Sequence, residues 1–308
     1  MSDVATTEAI VPIKKRRRRG RYDTIIETSI LRLYSSGITS VAATLQKAYE
    51  SFYNYQFTIA KHCNPNVNFD VVKYIAPEKK KYADALRISI PTLYEALTSC
   101  VTGLSYPDTT KYINLILKSQ YEVHSIHMLA ITASLGSEDG NTYALMPGYA
   151  VDLNDYVDNW WFDGMTMEPA LKARFMGLVN AFTNGLRRIT RRSTKLKLDK
   201  ADTSVLILLS ICKFAEEDDE NYAELQMYKD RVIREWSHNM QKKYKDDACR
   251  RMSEIMLLFN EITAFRLEAA NIDLQFQALR ASGADIPQLI PCIQSCETQV
   301  EVIKANCE

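Results

Sequence analysis

Two histidines, His124 and His127, lie three residues apart in a stretch with helical periodicity. On a helix this spacing places both imidazoles on one face, as two ligands of a zinc ion require. The stretch lacks the four-residue spacing and the general-base glutamate of the zinc-protease motif, and no third ligand is evident. Histidines that pack in the fold or lie on its surface are the simpler interpretation, and a metal enzyme centred on this pair is the alternative.

A second pair of possible metal ligands is Cys292 and Cys296, four residues apart. Two thiols make an incomplete site, and the seven cysteines of the chain include no C-x-x-C pair, so the sequence predicts no zinc finger. The glycine-rich phosphate loop, the dinucleotide fingerprint and the nucleophile elbow are absent as well. We therefore predict no catalytic residue, no metal site and no enzyme activity.

Basic side chains are concentrated near the N-terminus. The chain has 38 basic and 38 acidic residues, and taking away the seven basic residues between 14 and 21 leaves 31, so the remaining body is mildly acidic. This segregation argues against a body built to wrap phosphates. Residues 1–21 show no apolar period, which predicts a disordered arm that serves as a nuclear-localisation signal or contacts nucleic acid. Its basic residues are Lys14, Lys15, Arg16, Arg17, Arg18, Arg19 and Arg21.

The rest of the sequence is mainly helical. Apolar residues recur at three- and four-residue steps, and the predicted helices cover about residues 24–33, 41–59, 79–102, 110–134, 153–161, 167–191, 199–214, 219–244 and 248–281. The last of these is the most regular. A seam of its length is either core or a helix-to-helix interface, and we predict that it carries the dimer contact. The seam residues chosen for that contact are Ile255, Ile262, Phe265 and Ile272.

The stretch from residue 142 to 151 differs from its surroundings, because it reads as two short strands around a Pro-Gly turn. No Pro/Gly-rich linker follows residue 80. We therefore predict one all-α domain over residues 22–296 with a single small β-hairpin, followed by a tail over residues 297–308. No apolar run approaches membrane-spanning length and no secretory signal is evident, so an intracellular protein is expected.

Four stretches carry a likeness to a known family: residues 115–122, residues 141–149, residues 196–206, and Lys243-Tyr244 together with Arg251-Met252. In this order they resemble the ligand-binding domain of nuclear hormone receptors. They are similar to its fourth helix, to the β-turn between its fifth and sixth helices, to the start of its eighth helix, and to the junction of its ninth with its tenth and eleventh helices. The β-turn is most similar to that of the retinoid-related orphan and Rev-erb subgroup. The resemblance covers about residues 24–294.

The resemblance implies a three-layer antiparallel helical sandwich that acts in the nucleus as the ligand-binding and dimerisation domain of a transcriptional regulator. Asp199 would be the N-cap of the buried helix that follows it. Expected partners are a small lipophilic ligand, a second receptor of the family and coregulator proteins, with DNA contacted only indirectly. By position, the candidate pocket residues are Leu93, Leu97, Met128, Leu145 and Phe276, each of which also suits plain core.

The chain departs from the family pattern at the coregulator groove and at the heme position. Ser99 stands near the family's lysine, and Cys292, or Pro291 if the register shifts by one, stands near its glutamate, whereas Lys118 is kept. We expect weak coactivator binding, since the charges that cap the ends of a docked helix are missing. Ala269 falls near the histidine that ligates heme in the Rev-erb subgroup, so heme is not supported. The zinc fingers of the family are absent from this chain, and we expect no cofactor.

A rival hypothesis from another class remains open at this point. The chain would be a helical nucleic-acid-binding adaptor that uses its basic arm on phosphates, and salt-dependent DNA binding would favour it.

Overall fold

The computed structural model describes residues 40–63, 109–135, 140–147, 149–154, 168–217 and 223–281. These residues are helical for the most part and include one antiparallel hairpin, which confirms the predicted all-α class. The elements in chain order are α1 (Val41–Cys63), α2 (Thr109–Leu135), β1 (Thr142–Met146), β2 (Tyr149–Asp152), α3 (Pro169–Leu196), α4 (Lys200–Glu216), α5 (Ala223–Tyr244), a 3-10 turn (Lys245–Asp247) and α6 (Ala248–Ala281).

The described helices pack around a shared apolar core. Helix α2 packs against α3, α4, α6 and β1, while α1 packs against α4 and α5. Helix α6 packs against α3 and α5 as well as α2. The buried apolar side chains of all these elements belong to one cluster, so the described helices share a single core.

The hairpin forms where the sequence predicts it. Tyr143 pairs with Val151 and Ala144 with Ala150, and the register shifts between Ala144 and Met146. Thr132 of α2 ties the hairpin down, because its hydroxyl donates to the carbonyl of Met128 and accepts from the amide of Ala144 at 2.9 Å. The strands are therefore buried nearly throughout, in contrast to the alternating burial of a hairpin with one face in water.

Helix α3 is longer than the periodicity predicts. The apolar repeat fades near residue 191, yet the helix runs to Leu196 and ends where Lys197 takes a left-handed conformation with φ of 47°. Ser193 is buried inside this last stretch and its hydroxyl donates to the carbonyl of Thr190. A serine whose hydroxyl donates to a carbonyl of its own helix can occupy a core position. A prediction based on apolar residues alone does not recognise such a position as buried.

Helices α3 and α6 run antiparallel and approach closely at Gly185. A Cβ atom at this glycine would lie 2.7 Å from the ring of Phe265, so only glycine allows the contact. Ion pairs flank the crossing, from Arg188 to Glu268 and from Arg192 to Glu261. The close contact at Gly185, and to a lesser degree these solvent-accessible ion pairs, hold the two helices together.

Helix α4 begins at the predicted cap. The side chain of Asp199 accepts from the amide of Asp202 at 2.8 Å, and the side chain of Asp202 accepts in return from the amide of Asp199 at 3.5 Å. This reciprocal pair satisfies two of the free amides at the helix start. The prediction that Asp199 is the N-cap of a buried helix is confirmed.

Replacing Asp199 with alanine is expected to destabilise the protein by about 1–2 kcal/mol, because the cap of α4 is lost. Asp199→Asn is the matched control, since asparagine keeps a capping oxygen. The exposed ion pair with Lys243 that asparagine gives up is worth less than about 1 kcal/mol. Urea unfolding followed by circular dichroism measures both variants. Equal losses in the two would show that the cap contributes nothing.

Candidate functional site

His127 is buried between α1 and α2, and both of its ring nitrogens are in use. Nδ1 lies 3.0 Å from the hydroxyl of Tyr49, and Nε2 lies 2.5 Å from Oε1 of Gln56. An amide oxygen only accepts, so Nε2 carries the hydrogen and Nδ1 accepts from Tyr49. The ring of Phe52 packs 4.8 Å from the imidazole, centroid to centroid. This geometry leaves no nitrogen of His127 for a metal.

Both histidines are held in the neutral form. Burial lowers the pKa of His124 to about 4. Burial, and next the neighbouring His124, hold the pKa of His127 well below its ordinary value. Burial also raises the pKa of the Tyr49 phenol far above its usual range, so Tyr49 stays a hydrogen-bond donor. Within the described residues no three histidine, cysteine or acidic side chains are grouped as a metal site.

A buried carboxylate links three helices in the middle of the described fold. Glu122 of α2 is fully buried, and its Oε1 accepts from the hydroxyl of Thr263 on α6 at 3.2 Å. Its Oε2 lies 3.2 Å from Nε of Arg266 on α6 and 3.5 Å from Nζ of Lys213 on α4. Both cations also lie over the ring of Phe214. One buried carboxylate thus links three helices through charges that water screens only in part.

A second polar cluster brings together two of the stretches that carry the resemblance. Asp202 is buried and accepts from the indole of Trp236 at 3.1 Å and from the guanidinium of Arg251 at 2.7 Å. Lys243 lies 2.9 Å from Asp199. Burial and the charge of Asp199 raise the pKa of Asp202, against the opposing effect of Trp236 and Arg251. The cluster joins the start of α4 to the junction of α5 and α6.

Arg251 has a further role at the end of α3. Its guanidinium donates to the carbonyl of Leu196 at 2.6 Å and to that of Lys197 at 3.3 Å. These are free carbonyls at a helix C-terminus, where a cation is favourable. The ends of α3, α4 and α5 therefore meet around one side chain.

The described pocket candidates lie inside the core. Met128 of α2, Leu145 of β1 and Phe276 of α6 are all nearly inaccessible to water. The ring of Phe276 stacks on Phe175 of α3 with centroids 4.4 Å apart. These residues belong to the apolar cluster that spans the described core, and this membership does not distinguish a pocket from plain packing. Leu93 and Leu97 lie outside the described residues.

The four side chains proposed for the dimer contact require a correction. Ile255, Ile262, Phe265 and Ile272 are buried in the core of a single chain. Phe265, for example, lies against Gly185 of α3. Large apolar residues at this spacing are the inner face of α6, and they cannot meet a second chain while the helix stays packed.

The outer face of α6 carries a second seam that the sequence analysis missed. Leu257, Leu267 and Leu274 are 52%, 54% and 61% exposed. They belong to a series of exposed, uncharged residues at alternating four- and three-residue steps, which is the spacing of paired helices. The series is Ser253, Leu257, Asn260, Ala264, Leu267, Asn271, Leu274, Ala278 and Ala281. In the sequence, this outer seam is marked by heptad positions that carry no charged residue. The inner seam has larger apolar side chains and therefore gives the stronger signal.

The remaining predicted residues divide between the surface and the parts not described. Lys118 is exposed on α2. Ser99, Cys292, Cys296 and the basic arm lie outside the described residues. None of the described helices is long and apolar enough to cross a membrane. No protein-family model matches the chain, and no curated protein matches it significantly.

Replacing Glu122 with glutamine is expected to destabilise the protein by about 3 kcal/mol, because Lys213 and Arg266 lose their counter-charge in a shielded site. The matched control is Glu261→Gln, which removes the partly exposed pair with Arg192 and should lose less than about 1 kcal/mol. Denaturant unfolding gives both values. A loss at Glu122 no larger than the control would contradict a structural role for the buried carboxylate.

Acid should weaken the fold before ordinary carboxylates titrate. The folded-state pKa of His127 lies below the unfolded value of about 6.5, so the unfolded chain binds the extra proton and stability falls as the pH drops below about 6.5. The slope is at most about 1.4 kcal/mol per pH unit for one histidine. His127→Gln should flatten the stability profile between about pH 6.5 and 5, measured by urea unfolding. His238, which is exposed, gives the control His238→Gln, and an unchanged slope in the His127 variant would refute the assignment.

Proposed function

We propose that the chain is the ligand-binding and dimerisation domain of a nuclear-receptor-type transcriptional regulator that acts in the nucleus. The observation that carries the proposal is the meeting of Asp199, Asp202, Lys243 and Arg251 in one cluster. These residues come from the stretches that resemble the eighth helix of the family and its later helix junction. Two of the stretches that carry the resemblance are distant in sequence and meet in one cluster, and this supports the proposal.

The hairpin supports the same proposal. It lies where the resemblance predicts a β-turn, and Thr132 fastens it to the end of α2. The order of elements, with a hairpin between helical segments and a long last described helix, also agrees with the implied architecture. A shared fold supports a functional class only by analogy, so the proposed activity depends on the sites themselves.

A ligand would be recognised through burial of its apolar surface, and no covalent bond would form. Met128, Leu145 and Phe276 approach the core from α2, β1 and α6, and a small apolar molecule would be held by displacing contacts among such side chains. A core packed to native density would instead make the domain a ligand-independent regulator. Native mass spectrometry of the purified chain distinguishes the two through a bound apolar mass.

Coregulator binding is proposed to be weak at the family's groove. Lys118 is exposed on α2 and supplies one positive charge. The glutamate that completes the family's charge clamp has no counterpart here. A corepressor-type helix could still contact this surface through Lys118. Tight, agonist-enhanced binding of Leu-x-x-Leu-Leu peptides would contradict the proposal of a weak clamp.

Dimerisation would use the outer seam of α6. From Ser253 to Ala281 the seam runs about 42 Å at 1.5 Å per residue, which is long enough for an extended helix pair. Leucines would supply the apolar burial, and Asn260 and Asn271 would fix the register as polar residues do inside paired helices. The partner is a second copy of this chain or a related receptor domain.

The paired substitution Leu267→Glu and Leu274→Glu should convert a dimer to a monomer. Each leucine contributes about 1.5–3 kcal/mol on burial, so the pair predicts a loss of affinity of 100-fold or more, on the order of 3–6 kcal/mol. Sedimentation velocity over a concentration series measures the change. Tyr55→Glu with Met227→Glu is the control, since these residues are exposed on α1 and α5. A variant that stays dimeric while the control behaves like the wild type would exclude the seam.

A further inference from the structure

The outer seam of α6 is nearly a palindrome about a midpoint between residues 265 and 266. Residues at equal distances on either side of this midpoint are of the same kind: small residues at the ends, then leucine with leucine and asparagine with asparagine. Only the innermost pair differs, since it matches an alanine with a leucine. The four pairs are Ser253 with Ala278, Leu257 with Leu274, Asn260 with Asn271, and Ala264 with Leu267. The seam therefore reads almost the same in both directions.

A surface that reads the same in both directions suits a second copy of itself. In a dimer with a two-fold axis, a residue i that contacts residue j of the partner is matched by a residue j that contacts the partner's i. When two copies of α6 pair antiparallel with the axis at the midpoint of the seam, each seam residue meets its counterpart in the palindrome. No such symmetry is required for pairing with a chain of different sequence.

The asparagines supply the specific contact of this arrangement. Asn260 and Asn271 are both exposed in the single chain. An amide side chain donates and accepts hydrogen bonds, so Asn260 of one chain and Asn271 of the other can satisfy each other between leucine contacts. The two-fold axis repeats this pair, and the dimer contains it twice. Polar residues at such positions specify the register of paired helices.

The residues beside the seam favour the antiparallel direction. One side of the seam carries Glu254, Glu261 and Glu268, while the positions along its other side are uncharged. The uncharged residues are Met256, Thr263, Ala270 and Gln277. Antiparallel helices bring equal sides together, whereas parallel helices would set the acidic side of each against the uncharged side of the other. Antiparallel pairing therefore lets Met256, which is 37% exposed, pack against uncharged neighbours.

The acidic side already has its counter-charges. Glu261 is paired with Arg192 and Glu268 with Arg188, both on α3. In the antiparallel pair, Glu261 of one chain lies near Glu268 of the other, and each carboxylate brings its own arginine. Two glutamates and two arginines then lie together, so the like charges are offset. This charge balance is one that a second copy supplies.

Packing at the centre of the seam favours the same direction. A parallel pair would set Ala264 against its own copy, and no large side chain would fill the space between the helices at that level. The antiparallel pair places Leu267 of each chain opposite Ala264 of the other. Its pairs of two small residues then occur only at the ends of the seam, where Ser253 meets Ala278.

We infer that the chain forms a homodimer in which the outer seams of two α6 helices pair antiparallel, with the two-fold axis between residues 265 and 266. The inference rests on the dimer face of the proposed function. It commits that face to a second copy of this chain, in one direction and one register. The palindrome, the charge balance and the central packing each support this occupant.

The test replaces the two asparagines with charged residues in the full chain and leaves the leucines in place. Asn260→Glu with Asn271→Lys sets opposite charges against each other across an antiparallel seam. Asn260→Glu with Asn271→Glu is the matched control, because the same positions then face like charges. Sedimentation velocity over a concentration series gives both dimer affinities. Two attractive pairs in place of two repulsive ones should make the first variant self-associate about tenfold more tightly than the control.

A third variant separates the direction of pairing from the choice of surface. Asn260→Lys with Asn271→Lys, mixed with the doubly acidic control, sets opposite charges across the seam whichever way the helices run. The mixture should therefore associate more tightly than either of its components alone. Circular dichroism checks that all three variants fold, as expected for substitutions at exposed positions.

The outcomes distinguish the direction of pairing from the dimer face itself. Equal self-association of the first two variants, with association of the mixture, would mean a parallel seam. That result overturns the inference and leaves the dimer face of the proposed function intact. A monomeric wild-type chain, or a mixture that associates no better than its components, would exclude the outer seam as the interface and overturn both.

Discussion

The buried carboxylate of Glu122 is the constraint around which the described fold is arranged. An ion without solvent is tolerated only when opposite charge and hydrogen-bond donors surround it, so α4 must deliver Lys213 and α6 must deliver Arg266 and Thr263 to the same point of α2. Apolar packing alone allows helices to slide or rotate against each other. The charge cluster favours the register of the three helices that brings these side chains together.

Polar contacts perform the same task at the periphery. Asp202 fixes the start of α4 against Trp236 and Arg251, and Thr132 fixes the hairpin against α2. His127 uses its two nitrogens to set α1 against α2. His127, one of the two histidines that suggest metal chemistry in the sequence, thus serves the packing of α1 on α2. The proposed function would use the apolar core and the outer face of α6.

The sequence predicts those parts of the fold whose causes are local. The bounds of α6 follow from its unbroken period, the hairpin from a Pro-Gly turn, and the start of α4 from a capping aspartate. The extension of α3 could not be predicted in this way, because Ser193 occupies the core while satisfying its hydroxyl within its own helix. The partners of Glu122 could not be predicted from the sequence for another reason. They lie far along the chain, and only tertiary folding brings them together. On α6, the large apolar residues identified a seam in the sequence, but they did not show which side of the helix faces water.

The close contact of Gly185 with Phe265 has a consequence for how a second chain could join α6. Because α3 packs against the buried side of α6 at this point, a second chain on the outer seam would meet α6 without displacing α3. Association would then add a layer to the fold and leave the existing contact intact.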